Sequence, residues 1–132
     1  MNSYDFKNQV AVVTGGANGI GFSVAERLSK SGASVKIWDL DIEAAQTAAE
    51  TINAEAVECD ITDWISVQNA TETSINGSEK IDILVNSAGI AGPNDTVVDY
   101  DNKAWDRIIS VNLTGTYYCL LYTSDAADDC WS

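Results

Sequence analysis

Thr14-Gly15-Gly16-Ala17-Asn18-Gly19-Ile20-Gly21 gathers four of the chain's nine glycines into one short stretch. Glycines so placed let a chain turn tightly, bring backbone close to a pyrophosphate, and seat a helix against a sheet. A helix that begins at such a turn offers unpaired N–H groups and a partial positive charge to phosphates. Asp39 stands 18 residues after Gly21, about where an acid accepts hydrogen bonds from the hydroxyls of an adenosine ribose. A carboxylate there repels a 2′-phosphate, and no Arg lies near it in the sequence to neutralise one. The pattern points to a bound dinucleotide, with NAD favoured over NADP.

That chemistry needs a strand, a turn and a helix in succession, and the hydrophobic pattern supplies them. Gln9 to Thr14 is a β-branched apolar run without alternation, as in a parallel strand covered on both faces. Residues 20–31 read as a helix with Ile20, Val24, Ala25 and Leu28 on its inward stripe and Gly32 at its C-terminal end. Residues 34–39 form a second strand, and residues 41–53 a helix with Asp41 as its N-cap. Further strands are expected at 56–59 and 81–86, and further helices at 64–75 and from about 102. The last helix carries Trp105, Ile108, Ile109 and Leu113 inward, while Asn76-Gly77-Ser78 and residues 88–94 are turn-rich breaks. Trp38, Trp64 and Trp105 read as core or interface packing. The alternation predicts an α/β fold: a Rossmann-like, doubly wound parallel sheet truncated after about four strands, without an internal domain boundary.

Composition excludes several other classes. Twenty acidic and 7 basic residues among 132, with no His, give a net charge of −13, which argues against nucleic acid as a partner. Lack of His removes the commonest metal ligand and the commonest general base. Cys59, Cys119 and Cys130 form no CxxC pair, so neither a disulfide framework nor a metal site is expected. No apolar run is long enough to span a bilayer, and the start lacks the basic-then-apolar pattern of a signal peptide. A cytoplasmic protein without a membrane partner is the expectation.

Taken in order, the motifs resemble the classical short-chain dehydrogenase/reductase (SDR) family. Thr14 to Gly21 matches its Thr-Gly-x-x-x-Gly-x-Gly signature, and Asp60, followed by Ile61, matches the Asp that contacts adenine at the end of its third strand. Asn86-Ser87-Ala88-Gly89 is similar to its Asn-Asn-Ala-Gly motif with Ser in second place, and Asn112 matches the Asn of its catalytic tetrad. The resemblance covers roughly residues 6–118. It implies hydride transfer between a nicotinamide and a secondary alcohol or ketone, of sugar/polyol or 3-oxoacyl type, by a parent protein that is a homo-oligomer. It also implies that Thr14, Gly15, Gly16, Asn18, Gly19, Ile20, Gly21, Asp39, Asp60, Ile61, Asn86, Ala88 and Gly89 hold the cofactor, with Asn112 catalytic.

Of the family's catalytic Asn, Ser, Tyr and Lys, only Asn112 has a counterpart. Tyr4 and Lys7, and Tyr100 and Lys103, are spaced three apart where the family has four, and no Lys follows Tyr117, Tyr118 or Tyr122. The chain is therefore expected to lack a proton donor and not to turn over. Residues 119–129, from Cys119 to Asp129, resemble the translation of a transposase-type sequencing adapter. The expected division is an NAD-binding half at 1–118 and a non-native tail at 119–132. The rival expectation is a non-catalytic dinucleotide-binding module. Four strands would leave the fourth as an open edge and one sheet face short of helices.

Overall fold

Four short apolar runs, Val10–Thr14 (β1), Ser34–Asp39 (β2), Glu55–Glu58 (β3) and Ile83–Asn86 (β4), pair in parallel in the order β3-β2-β1-β4. The computed structural model describes residues 5–75, 80–90, 96 and 99–127. Helices Gly19–Lys30 (α1), Ile42–Ile52 (α2), Trp64–Ser74 (α3) and Asn102–Ile109 (α4) follow the strands in alternation. A π-helical segment, Ser110–Gly115, then joins α4 to Thr116–Ala127 (α5). The breaks expected at 76–78 and at 91–94 lie outside the described residues.

All five residues of β1 are buried, the reason its sequence does not alternate. Ala11 and Val13 face a cluster built with Ala25 and Leu28 of α1 and Ala45, Ala49 and Ile52 of α2. Val10 and Val12 face the opposite cluster, with Trp38, Val67 and Ala70 of α3, and Cys119 of α5. Both sheet faces therefore carry helices, and the face expected to be short of them is covered in part by α3 and α5. Within β4, Ile83, Leu84 and Val85 are only half-buried, because among the described residues β4 pairs with β1 alone. Helices α2, α3 and α4 each begin at an Asp, and Asp41, Asp63 and Asp101 accept hydrogen bonds from the N–H of Ala44, Ile65 and Ala104.

Three residues expected inside lie outside. Ile20 is 81% exposed: Gly21, pressed against the preceding turn, takes the inward position in α1, so the buried stripe is Gly21, Ala25 and Leu28. Trp105 packs edge-on against Tyr100 with ring centres 6.2 Å apart, away from the core, and is 56% exposed. Leu113 falls in the π-helical segment, whose wider turns shift side chains off the α-helical phase on which its inward placement was based. Trp38 is core, with its indole N–H donating to Ser74 Oγ at 2.9 Å. No helix among the described residues is long and apolar enough to cross a membrane.

Candidate functional site

Strand order reverses between β1 and β4, so the loops leaving their C-terminal ends diverge and open a crevice, the usual ligand position in such sheets. The crevice here has a volume of about 490 Å³. Gly15, Asn18 and Ile20 line it from the β1–α1 turn, Asp39 from the end of β2, and Asp60 and Ile61 from the end of β3. Ala88 and Gly89 line it from the loop after β4. Eight of the residues expected to hold a cofactor therefore share one cleft.

The others support that cleft without lining it. The buried Thr14 hydroxyl accepts hydrogen bonds from the N–H of Ser87 (3.2 Å) and Ala88 (3.1 Å) and donates to the Val85 carbonyl (3.4 Å), tying the two loops together. Gly15 has φ +64°, and a Cβ there would stand 2.8 Å from Ala88 Cα. A Cβ at Gly21 would collide with the Gly15 carbonyl oxygen. Gly16 packs over Ile37 and Val13, and Gly19, at the start of α1, faces open space. Asn86 pairs in register with Thr14 and is exposed at the end of β4. Asn112 clamps the loop: its Oδ1 accepts from the Ile90 N–H and its Nδ2 donates to the Ile90 carbonyl, both at 2.9 Å.

The first turn of α1 differs from those of α2, α3 and α4. Asn18 makes no side-chain cap, whereas an Asp caps each of the other three. Its leading N–H groups stay without a side-chain acceptor while Gly15, Asn18 and Ile20 face the cleft. Asp39 is fixed at the rim, where one carboxylate oxygen accepts from the Ala17 N–H (3.3 Å) and the other from the Asp41 N–H (3.1 Å). Asp60 pins its own loop by accepting from the N–H (3.0 Å) and hydroxyl (2.6 Å) of Thr62.

Sequence reasoning missed several cleft residues. Leu40, Thr62, Ser87 and Ile90 adjoin residues it named, so adjacency alone would have found them. Trp38 also contributes to the wall, although it was expected only to pack. Arg107 and Val111 arrive from α4 and the π-helical segment, and no local pattern announces them. No Arg lies near Asp39 in the sequence, yet Arg107, far from it along the chain, lines the same cleft. Cys59 lines it too, with burial pushing its thiol up to about 11 against the Ser66 hydrogen bond. A thiol held protonated near neutral pH is a poor nucleophile.

Comparison with known proteins agrees with this architecture. The short chain dehydrogenase family profile matches residues 9–127, and the chain belongs to that family. A 2-dehydro-3-deoxy-L-rhamnonate dehydrogenase (NAD(+)) from a Sphingomonas species is 38% identical over 115 residues, 86% of this chain and 46% of its own length. A probable NADP-dependent mannitol dehydrogenase from Yarrowia lipolytica is 34% identical over 92% of this chain and 46% of its own. The crystal structure of a 3-ketoacyl-(acyl-carrier-protein) reductase from Brucella melitensis, complexed with NADH, superposes with a TM-score of 0.85 at 35% identity. That match covers 89% of this chain and 49% of the reductase. The chain spans less than half the length of these two curated relatives.

Proposed function

We propose that this chain is the dinucleotide-binding half of an NAD-dependent oxidoreductase acting on a secondary alcohol or ketone of sugar/polyol or 3-oxoacyl type. The observation that carries the reading is the uncapped N-terminus of α1, opening into a cleft whose rim holds Asp39 by two backbone amides. The fit to a dinucleotide is supported by the glycine floor. Side chains at Gly15 or Gly21 would occupy space that the turn and the β4 loop already fill, and Gly19 leaves the space at the start of α1 open. The first turn of α1 would hold the pyrophosphate, Asp39 the adenosine ribose, and Asp60 and Ile61 the adenine. The nicotinamide, when bound, would give the hydride to a ketone or take it from an alcohol. Asn112 acts through Ile90, positioning the loop that carries Ala88 and Gly89 along the cleft wall.

Asp39 supports NAD over NADP, because its fixed carboxylate disfavours a 2′-phosphate. Among the described residues that line the cleft there is no Tyr or Lys to deliver a proton to the substrate oxygen, in keeping with a chain that binds cofactor without turnover. The exposed apolar residues Trp105, Leu113 and Tyr117 support a homo-oligomeric parent, which this reading takes to be cytoplasmic. The reading also assigns residues 1–118 to the native NAD-binding half and 119–132 to a non-native tail; genomic sequence across codon 118 decides that assignment. A non-catalytic binding module is the second reading, favoured by the helices that cover both sheet faces. Calorimetric titration with NADH and NADPH tests the proposal: NADH is expected to bind more tightly, and Asp39→Ala to narrow the difference. Tighter NADPH binding would reverse the cofactor assignment, and dehydrogenase turnover by the 132-residue chain would refute its inactivity.

A further inference from the structure

Arg107 sits in the last turn of α4, exposed, and among the described residues is the only cationic one lining the cleft. No hydrogen bond or ion pair engages its guanidinium among the described residues. The two carboxylates of the cleft are held by other partners: Asp39 by the amides of Ala17 and Asp41, and Asp60, through one oxygen, by Thr62. Val111 follows Arg107 by four residues, so both lie on one side of the helix and reach the same cleft. Ile61 and Thr62, from the end of β3, line the same cleft. An exposed guanidinium without a protein partner thus stands at the lip of a slot with apolar walls.

The direction of a bound dinucleotide follows from the fixed points of the cleft. Phosphates at the first turn of α1 and a ribose at Asp39 send the base onward, past the end of β2 toward the end of β3. That is the slot between Ile61 and Val111. A guanidinium is planar and weakly hydrated, so it stacks on the face of a flat heteroaromatic ring, and its N–H groups can donate to ring nitrogens. Resting on the dinucleotide reading above, we propose that Arg107 contacts the adenine ring and is a binding determinant of the adenosine half of the cofactor.

The test is calorimetry on the full chain and its Arg107→Ala, Arg107→Gln and Arg107→Lys variants, titrated with NADH, ADP-ribose and NADPH at low and high salt. Arg107 is exposed and unpaired, so the variants are expected to melt with the parent, and the three replacements guard against one that does not. Arg107→Ala and Arg107→Gln should weaken NADH and ADP-ribose equally, by about 3- to 30-fold, the range of a cation–π contact. The loss should persist at high salt, and Lys should restore only part of it. Unchanged affinity would overturn the proposal. So would a loss confined to NADPH, which makes Arg107 a phosphate ligand, or a loss that vanishes with salt, which makes it a long-range attraction. If the parent chain binds none of the three ligands, the dinucleotide reading fails first and the role of Arg107 with it.

Discussion

Replacing Thr14 by Val removes one hydroxyl and preserves the side-chain shape, so it isolates the tie between the β1 turn and the β4 loop. The Thr14 side chain is 1% exposed, and its oxygen is the acceptor for the N–H groups of Ser87 and Ala88. A buried donor left without a partner costs about 1–3 kcal/mol. Ser87 and Ala88 are only half-buried, so the lower part of that range applies to each, and Thr14→Val should cost about 2–3 kcal/mol. For a domain of this size that lowers the melting temperature by roughly 6–15 °C. Thr14→Ser keeps the acceptor and loses one methyl, a change worth about 1 kcal/mol. Thermal and urea denaturation followed by circular dichroism separate the two. A Thr14→Val chain as stable as the parent, or a Ser variant weaker than the Val variant, would refute the role assigned to the hydroxyl.

Three further outcomes follow from the same geometry. Gly21→Ala pits helix propensity, which favours Ala by about 1 kcal/mol, against collision with the Gly15 carbonyl. Net destabilisation of about 1–3 kcal/mol in denaturant titrations is expected, and a stabilised variant would show that the turn yields. Asn112→Ala releases both bonds to Ile90 and should speed amide hydrogen exchange at Ile90, with little change at β1. Burial pushes the thiols of Cys59 and Cys119 up to about 11 and about 12 from an ordinary 9.0. Below pH 9 both folded and unfolded chains keep these protons; above it the unfolded chain loses them first, so stability falls as pH rises toward 11 to 12. Denaturation midpoints at pH 8, 9 and 10 should show that decline, with a shallower slope in Cys59→Ser.

Local signals made most of the scaffold legible. The unalternating run of β1, the Asp41 cap and the glycines of the turn each act within a few residues, and each lies where its pattern placed it. What escaped depends on register and on contacts far apart in sequence. Ile20 differs because close packing at Gly21 rotates the buried stripe by one position. Leu113 differs because a π-helical segment interrupts a helix that its apolar spacing presents as continuous. Arg107 of α4 and Asp39 at the end of β2 share a cleft although they lie far apart in the chain, which nothing near either residue announces. The site was likewise readable as a set of motifs but not as a division of labour. Thr14, Gly21 and Asn112 hold the walls in place, while Gly15, Asp39 and Asp60 face the ligand space.

The central claim is a location: a dinucleotide held where α1 begins, along the ends of the first three strands. An amide-resolved nuclear magnetic resonance titration of the 132-residue chain with NADH reads that location directly. The account predicts saturable shifts concentrated at Gly15 to Ile20, Asp39, Asp60 to Thr62 and Ala88 to Ile90, with α2 and the outer face of α3 unmoved. No saturable shifts, or shifts centred on the groove between α1 and α2 instead, would contradict it.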